Sequence, residues 1–419
     1  MNIIDELEWR DAINQQSDSE GLRELTEQKS ISLYCGVDPT GDSMHIGHLI
    51  PFIVLKRFQL AGHRPVILIG GATGTIGDPS GRQTERSLQT MEQIQANVDA
   101  LSAQMKKLFM TEGDNQVRMV NNYDWTHKIN VIEFLRDYGK NFSINTMLAK
   151  DVVASRLETG ISFTEFSYQI LQSLDYLHLY RHEDVQLQVG GSDQWGNITS
   201  GLDLIRKKEG TEAKAFALTI PLMLKADGTK FGKTAGGAVW LDPNKTTPFE
   251  FYQFWANTDD RDVVKYLKYF TFLNQEQIAE LDEKVKTEPH KREAQKTLAE
   301  EMTRFVHGDE MLEQAKRITA ALFSGDIKSL TADEIEQGFK EMPTFEATKE
   351  SKNIVDWLVD LGIEPSKRQA REDITKGALS MNGEKVTDLE LEVTSGHAIG
   401  GRFIIIRKGK KNYSLVKLT

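Results

Sequence analysis

Residues 31–37, Ile31-Ser32-Leu33-Tyr34-Cys35-Gly36-Val37, form an apolar run that breaks off at Asp38-Pro39-Thr40-Gly41-Asp42, as a strand entering a turn does. A second apolar run, 64–69, leads into a glycine-rich loop at 70–81, and another strand, 185–189, enters a third loop at Gly190-Gly191-Ser192-Asp193. The run 64–69 is wholly apolar at its centre, as expected of a parallel strand buried on both faces. Helical periodicity intervenes over about 47–61 and again from the third loop through Arg206. Pro51 is compatible with a helix that starts near Gly47 or His48, because its missing N–H then falls in the first turn. Strand, loop, helix, strand, loop predicts an α/β fold on a parallel sheet, with its ligand crevice at the carboxyl ends of the strands.

The rest of the chain predicts three further parts. Residues 90–182 are mostly helical and look like an insertion between the halves of the sheet, so the first domain spans 1–247. Residues 248–323 read as an α-helical domain, aromatic-rich at first and then amphipathic. Acidic, polar 324–350 has the composition of a linker with room for one helix. Residues 351–419 carry Ile354, Val355, Trp357, Leu358 and the strand-like Phe403-Ile404-Ile405-Ile406, which predicts a small folded α+β domain.

Charge sharpens that last expectation. The chain has 419 residues and a net charge of −11, which argues superficially against a polyanionic partner. Residues 351–419, however, hold 12 Lys and Arg against 9 Asp and Glu, leaving 39 against 53 for the rest. The basic residues cluster at Lys367, Arg368 and Arg371 and at 407–411, giving this domain a basic face suited to nucleic acid. Cys35 is the only cysteine, which excludes an internal disulfide and a cysteine-rich metal site. No uncharged apolar stretch approaches the ~18 residues of a membrane span, and the N-terminus carries early acids rather than a secretory signal. The expectation is a cytoplasmic protein with no membrane association.

Candidate chemistry lies in the loops. His45-Ile46-Gly47-His48 sits where the first turn passes into a helix, and three readings stay open: half a metal site, a pair of capping histidines, or donors to phosphate at a helix N-terminus. The loop 70–78 does not match the dinucleotide spacing G-x-G-x-x-G, and Asp227-Gly228-Thr229-Lys230-Phe231-Gly232-Lys233-Thr234 misses the Walker A spacing by one residue. What remains of the latter is a glycine-flanked loop with two lysines three apart, either a solvated turn or a mobile cationic arm. On the helix 162–179, Tyr168, Gln172 and Asp175 form a polar stripe opposite Phe163, Phe166, Ile170, Leu174 and Leu177. The stripe faces either solvent or a pocket.

Taken together, these motifs resemble class I aminoacyl-tRNA synthetases of the bacterial tyrosyl type. His45-Ile46-Gly47-His48 matches their HIGH signature, and Lys230-Phe231-Gly232-Lys233-Thr234 is similar to their KMSKS loop. Tyr34 through Thr40, Gly77-Asp78-Pro79-Ser80-Gly81 and Gly190 through Asn197 match in the same order, and 365–371 with 381–383 resembles the RNA-binding domain these enzymes share with a small-subunit ribosomal protein.

The resemblance implies a Rossmann-like catalytic domain that activates L-tyrosine with ATP, accompanied by Mg²⁺, and then charges tRNA(Tyr), as a homodimer. It implies that Thr40 and His45 contact the leaving phosphates, that His48 lies under the nucleotide, and that Lys230, Lys233 and Thr234, with Arg82 and Arg86, close over pyrophosphate. Tyr34 and Asp175 would meet the phenolic hydroxyl, with Gln188 also in the tyrosine site, and Asp78, Tyr168 and Gln172 would hold the ammonium. Cys35, Gly36, Asp38, Gly47, Gly191, Asp193 and Gln194 would contact ATP or the adenylate. Arg206, Lys207 and Lys208, with Lys367, Arg368 and Arg371, would contact tRNA, and no protein-bound metal is implied. A nucleotidyltransferase on the same fold, a silent RNA-binding relative and a nicotinamide oxidoreductase are the competing readings.

Overall fold

The computed structural model describes every residue except 81–83, 85–88, 230, 235–236, 341 and 410–411, together with the side chains of 233 and 234. The chain divides into two compact units, Met1–Lys245 with Asn257–Met302, and Thr246–Ala256 with Thr303–Thr419. These boundaries differ from the expected ones at 247, 323 and 350. The segment 248–323 lies partly in each of these units.

The first unit is built on a six-stranded sheet comprising β1 (Gln15–Gln16), β2 (Ser32–Val37), β3 (Arg64–Ile69), β4 (Arg118–Asn121), β5 (Val185–Gly191) and β6 (Phe216–Ile220). The order is β1-β6-β5-β2-β3-β4; β2 to β6 run parallel, and only the edge strand β1 is antiparallel. The three strands read from the sequence are β2, β3 and β5, and all are largely buried, including the two glutamines of β5, Gln186 and Gln188. From β2 the chain crosses to β3 on one side, and from β5 to β6 on the other. The crevice beyond the carboxyl ends of β2 and β5 is therefore the topological switch point where open α/β sheets bind ligands.

Three local details differ from expectation. The segment 90–182 gives the sheet a strand, β4, so the inserted part begins only after Asn121. The helix after β2 runs Ile46–Leu60 with His45 as N-cap, one residue early, so Pro51 lies beyond the first turn and leaves the Gly47 carbonyl without its helical donor. Phe163, expected on an apolar face, is 74% exposed at the first position of the helix Phe163–His182.

In the second unit a five-stranded sheet runs in the order Glu384–Lys385, Leu379–Met381, Phe403–Lys408, Asn412–Leu418, Thr344–Ala347, and its last pair is parallel. Phe403 to Ile406 are all apolar because the sheet is covered on both faces. Ile404, Ile406 and Val416 pack with the helices Ile354–Asp360 and Lys367–Thr375, while Phe403, Ile405 and Leu415 pack on Ile318, Ile327, Ile335 and Phe339. The expected linker at 324–350 therefore contributes a helix, Ala332–Gly338, a sheet strand and part of a core. Asp333, Glu336, Glu346 and Glu350 are exposed, whereas Glu334 is buried against Arg317, and composition alone concealed the buried Leu330, Ile335 and Phe339.

Candidate active site

A cavity of about 360 Å³ lies at the switch point. Its walls come from β2 (Tyr34, Cys35, Gly36), the turn after it (Asp38, Thr40), the start of the next helix (Gly47, His48), Asp78, the helix Phe163–His182 (Tyr168, Gln172, Asp175), and β5 with its loop (Gln188, Gly191, Asp193, Gln194). Tyr168, Gln172 and Asp175 thus face a pocket, not solvent.

At one end stands a buried carboxylate. Asp175 is 3% exposed and accepts hydrogen bonds from Asn122 Nδ2 and Trp125 Nε1, both at 2.9 Å. Burial outweighs the two donors and raises its carboxyl to about 7. The hydroxyl of Tyr34 and Oε1 of Gln188 are buried and have no hydrogen-bond partner among the described residues. Burial, with Asp175 nearby, pushes the Tyr34 phenol well above its ordinary value, so it remains an O–H donor. A buried polar group left unpaired costs about 1–3 kcal/mol, so this end of the cavity is complementary to a ligand hydroxyl that both donates and accepts.

A polar chain leads away from it. Asn122 Nδ2 also donates to Thr73 Oγ1 at 3.0 Å, Thr73 donates to Asp38 Oδ1 at 2.7 Å, and the Tyr168 hydroxyl donates to Asp38 Oδ2 at 2.8 Å. Gly70 is required here, since a Cβ on it would come within 2.1 Å of Asp38 Oδ1. Further round, Gln194 Nε2 donates to Asp78 Oδ2 at 2.8 Å. Burial and Asp78 raise the Asp193 carboxyl. Cys35, 3% exposed, is pushed up to about 12 and so stays a neutral thiol.

The other end is the helix N-terminus. His45 Nδ1 accepts the N–H of Gly47 at 3.1 Å, and His48 Nδ1 accepts the N–H of His45 at 3.2 Å, a capping box made of imidazoles. Because each Nδ1 is an acceptor, the neutral ring carries its proton on Nε2, the atom farther from the backbone. The rings stack at 3.9 Å. Capping and donation to an anion are thus compatible, one nitrogen for each, while among the described residues no group of three or more potential ligands could hold a metal ion.

The lysine loop meets this helix start through backbone. Gly232 has φ +89°, and a Cβ there would lie 3.3 Å from Ile46 Cγ1 and 3.4 Å from Gly47 N. Phe231, between the two lysines, is buried and packs against Tyr266 and Phe270 of the helix Asp260–Phe270. Lys233–Thr234 pairs with Gly237–Ala238, so the strand-like 238–241 segment is mostly irregular. Lys230, Arg82 and Arg86, and the side chains of Lys233 and Thr234, lie outside what is described.

Residues 26–324 match the family model for class I tRNA synthetases (W and Y), and 334–416 match that for a tyrosine–tRNA ligase C-terminal domain. The chain is 81% identical over 418 residues to a tyrosine–tRNA ligase 2 of Bacillus cereus, covering 100% of both chains. The chain belongs to the tyrosine–tRNA ligase family of class I tRNA synthetases. A family member from Enterococcus faecalis, tyrosine–tRNA ligase 1, is 71% identical over 418 residues, again covering 100% of both chains. Among solved structures, a C-terminally truncated mitochondrial tyrosyl-tRNA synthetase of Aspergillus nidulans is 33% identical with a TM-score of 0.69, over 77% of this chain and 94% of that one.

Asn122 and Trp125, which hold Asp175, occupy no motif, and their only signal is the polar Asn121-Asn122 pair closing a strand; Thr73, which holds Asp38, lies in the glycine-rich loop 70–78, but the sequence reading gives it no role there. Lys207 and Lys208 have an intrachain use that the sequence reading lacked: Lys207 donates to the Asn141 carbonyl and Lys208 to that of Asp137 at 2.7 Å, while Arg206 lies 4.0 Å from Asp203. In the second unit Lys367 pairs with Asp356 at 2.8 Å, and Arg368 and Arg371 are exposed on the same helix.

Proposed function

We infer that this chain activates L-tyrosine with ATP, forming tyrosyl adenylate and pyrophosphate, and transfers the tyrosyl group to the terminal ribose of tRNA(Tyr). The observation that carries this reading is the buried Asp175 carboxylate beside the unpartnered Tyr34 hydroxyl in the cavity. A phenol donates to Asp175 and accepts from Tyr34; phenylalanine leaves both unsatisfied. Asp78, Tyr168 and Gln172 line the same cavity and suit an ammonium group, and the neutral Cys35 thiol, with Gly36, Asp38, Gly47, Gly191, Asp193 and Gln194, suits the nucleoside.

In the first step a carboxylate oxygen of tyrosine bonds to the α-phosphorus, the bond to the β-phosphate oxygen breaks, and its electron pair leaves with pyrophosphate. No proton is moved, so catalysis consists of alignment and charge stabilisation. Imidazole N–H donors at a helix N-terminus supply part of that stabilisation, and Thr40, Arg82, Arg86, Lys230, Lys233 and Thr234 are assigned to the triphosphate with them. Mg²⁺ is assigned to the ATP phosphates, its usual mode of binding.

In the second step AMP is displaced by a ribose hydroxyl. Lys367, Arg368 and Arg371 form the tRNA face of the C-terminal domain, with Arg206 the most available of the three earlier candidates. We assign the chain to the cytoplasm; none of its described helices is long and apolar enough to cross a membrane. A homodimer is supported by apolar side chains exposed in the inserted part, among them Val131 (66%), Ile132 (66%), Ile144 (58%) and Phe163 (74%). The test is exchange of labelled pyrophosphate into ATP: tyrosine should support it and phenylalanine hardly at all. Equal exchange with both would overturn the role given to Asp175.

A further inference from the structure

Asp175 is held by an indole, and that indole is itself held. Trp125 presents its edge to Asp175 Oδ1 through Nε1, and its face to His178, with ring centroids 4.2 Å apart and planes within 12°. Asp175 and His178 lie three residues apart on the helix Phe163–His182, so one helical face grips both the edge and the face of the same ring. His182, one turn further on, continues the stack, tilted at 4.5 Å from His178. Trp125 sits in the short helix Tyr123–Thr126, whose first N–H is held by Asn121 Oδ1 at 3.0 Å, and its ring, partly buried against the sheet core, takes its tilt from the side chains packed on it, His178 among them.

We propose that His178 is a positioning residue for tyrosine recognition, fixing the Trp125 indole so that its N–H stays aimed at Asp175. The proposal rests on the reading that Asp175 meets the substrate's phenolic hydroxyl. A ring free to tilt weakens the bond to Oδ1, and the carboxylate then rotates within its pocket. Burial, with His182 and Lys128 nearby, lowers the His178 ring to about 4, so at neutral pH it acts as an uncharged aromatic plate. Its role is therefore one of shape, which a different aromatic ring can fill.

The experiment measures steady-state pyrophosphate exchange on the full-length protein with tyrosine and with phenylalanine. His178→Ala should raise KM for tyrosine about five- to twentyfold, part of the worth of a charge-assisted hydrogen bond, and narrow the tyrosine-to-phenylalanine preference. KM for ATP should stay within about twofold, as befits a site remote from the triphosphate. His178→Phe should restore tyrosine KM, and His178→Ala placed on Trp125→Phe should add nothing further. A tyrosine KM for His178→Ala within twofold of the parent overturns the proposal, as does a His178→Phe enzyme no better than the alanine one. If the alanine variant does not fold, His178→Gln against His178→Phe decides by the same criterion. Asp175→Asn separates the two layers. If it leaves the preference for tyrosine intact, the underlying reading fails; if it abolishes the preference while His178→Ala is silent, only the present proposal fails.

Discussion

Gly232→Ala tests whether the lysine loop acts from its seat on the histidine helix. At φ +89° a Cβ is strained whatever the space, at about 1–2 kcal/mol. The added carbon also meets Ile46 Cγ1 at 3.3 Å and Gly47 N at 3.4 Å, so either the helix start or the loop must give way. The helix start is tied down by the His45 and His48 caps and by the Ile46 N–H, which donates to the Val239 carbonyl at 2.9 Å. The loop side should yield. If that displacement is felt in the transition state for adenylate formation, about 1–2 kcal/mol corresponds to roughly a five- to thirtyfold loss of rate. The assay is single-turnover tyrosyl adenylate formation, with thermal unfolding measured alongside. The expected result is a slower chemical step with tyrosine affinity unchanged. An unaltered rate in a protein of unaltered stability would refute the claim that this backbone contact sets the loop.

Four further expectations follow. Because burial raises Asp175 to about 7 from an ordinary ~4, its charged, accepting form is lost as pH falls through 7, so KM for tyrosine should climb between pH 8 and 6 while KM for ATP does not follow; a flat profile would sink this. The same shift makes Asp175 stabilise the ligand-free fold increasingly as pH falls from 7 toward 4, since there the folded state holds the proton and the unfolded state does not. Replacing Arg368 and Arg371 together by alanine should weaken tRNA charging and flatten its salt dependence while sparing pyrophosphate exchange; loss of exchange would mean that the pair serves the fold. Sedimentation should show a dimer that Ile132→Glu dissociates, and a monomeric parent would dispose of the apolar surface as an interface.

Deleting residues 351–419, the cut suggested by composition, would be a poor probe of the basic domain. It strips Asn412–Leu418 from its parallel partner Thr344–Ala347 and uncovers Ile318, Ile335 and Phe339. The sequence concealed this because an acidic surface over a thin core reads like a linker. Where a strand is buried on both faces, as in β3, an unbroken apolar run makes it visible, whereas β5, Val185-Gln186-Leu187-Gln188-Val189, alternates and is marked by the glycine-rich loop that follows it. β4 carries no such mark; it is four residues long and only half-buried. The site divides in the same way. Many of the residues that line the cavity lie in loops or on a helix stripe with recognisable spacing, whereas Asn122 and Trp125 act through other side chains and need only a donor at the right height. The stripe on Phe163–His182 was legible as a pattern, but only the third dimension shows that its polar side is enclosed.

The hydrogen-bonded series from Tyr168 through Asp38, Thr73 and Asn122 to Asp175 and Trp125 has a practical corollary for anyone redesigning amino-acid choice. Each member satisfies its neighbour, and Tyr168, Thr73, Asn122 and Asp175 are buried, so altering one leaves the next short of a partner, and single-site libraries will score mostly damage. Variants that accept a new side chain should emerge from randomising these positions together. Their yield should depend on whether the replacement set again leaves no donor or acceptor without company.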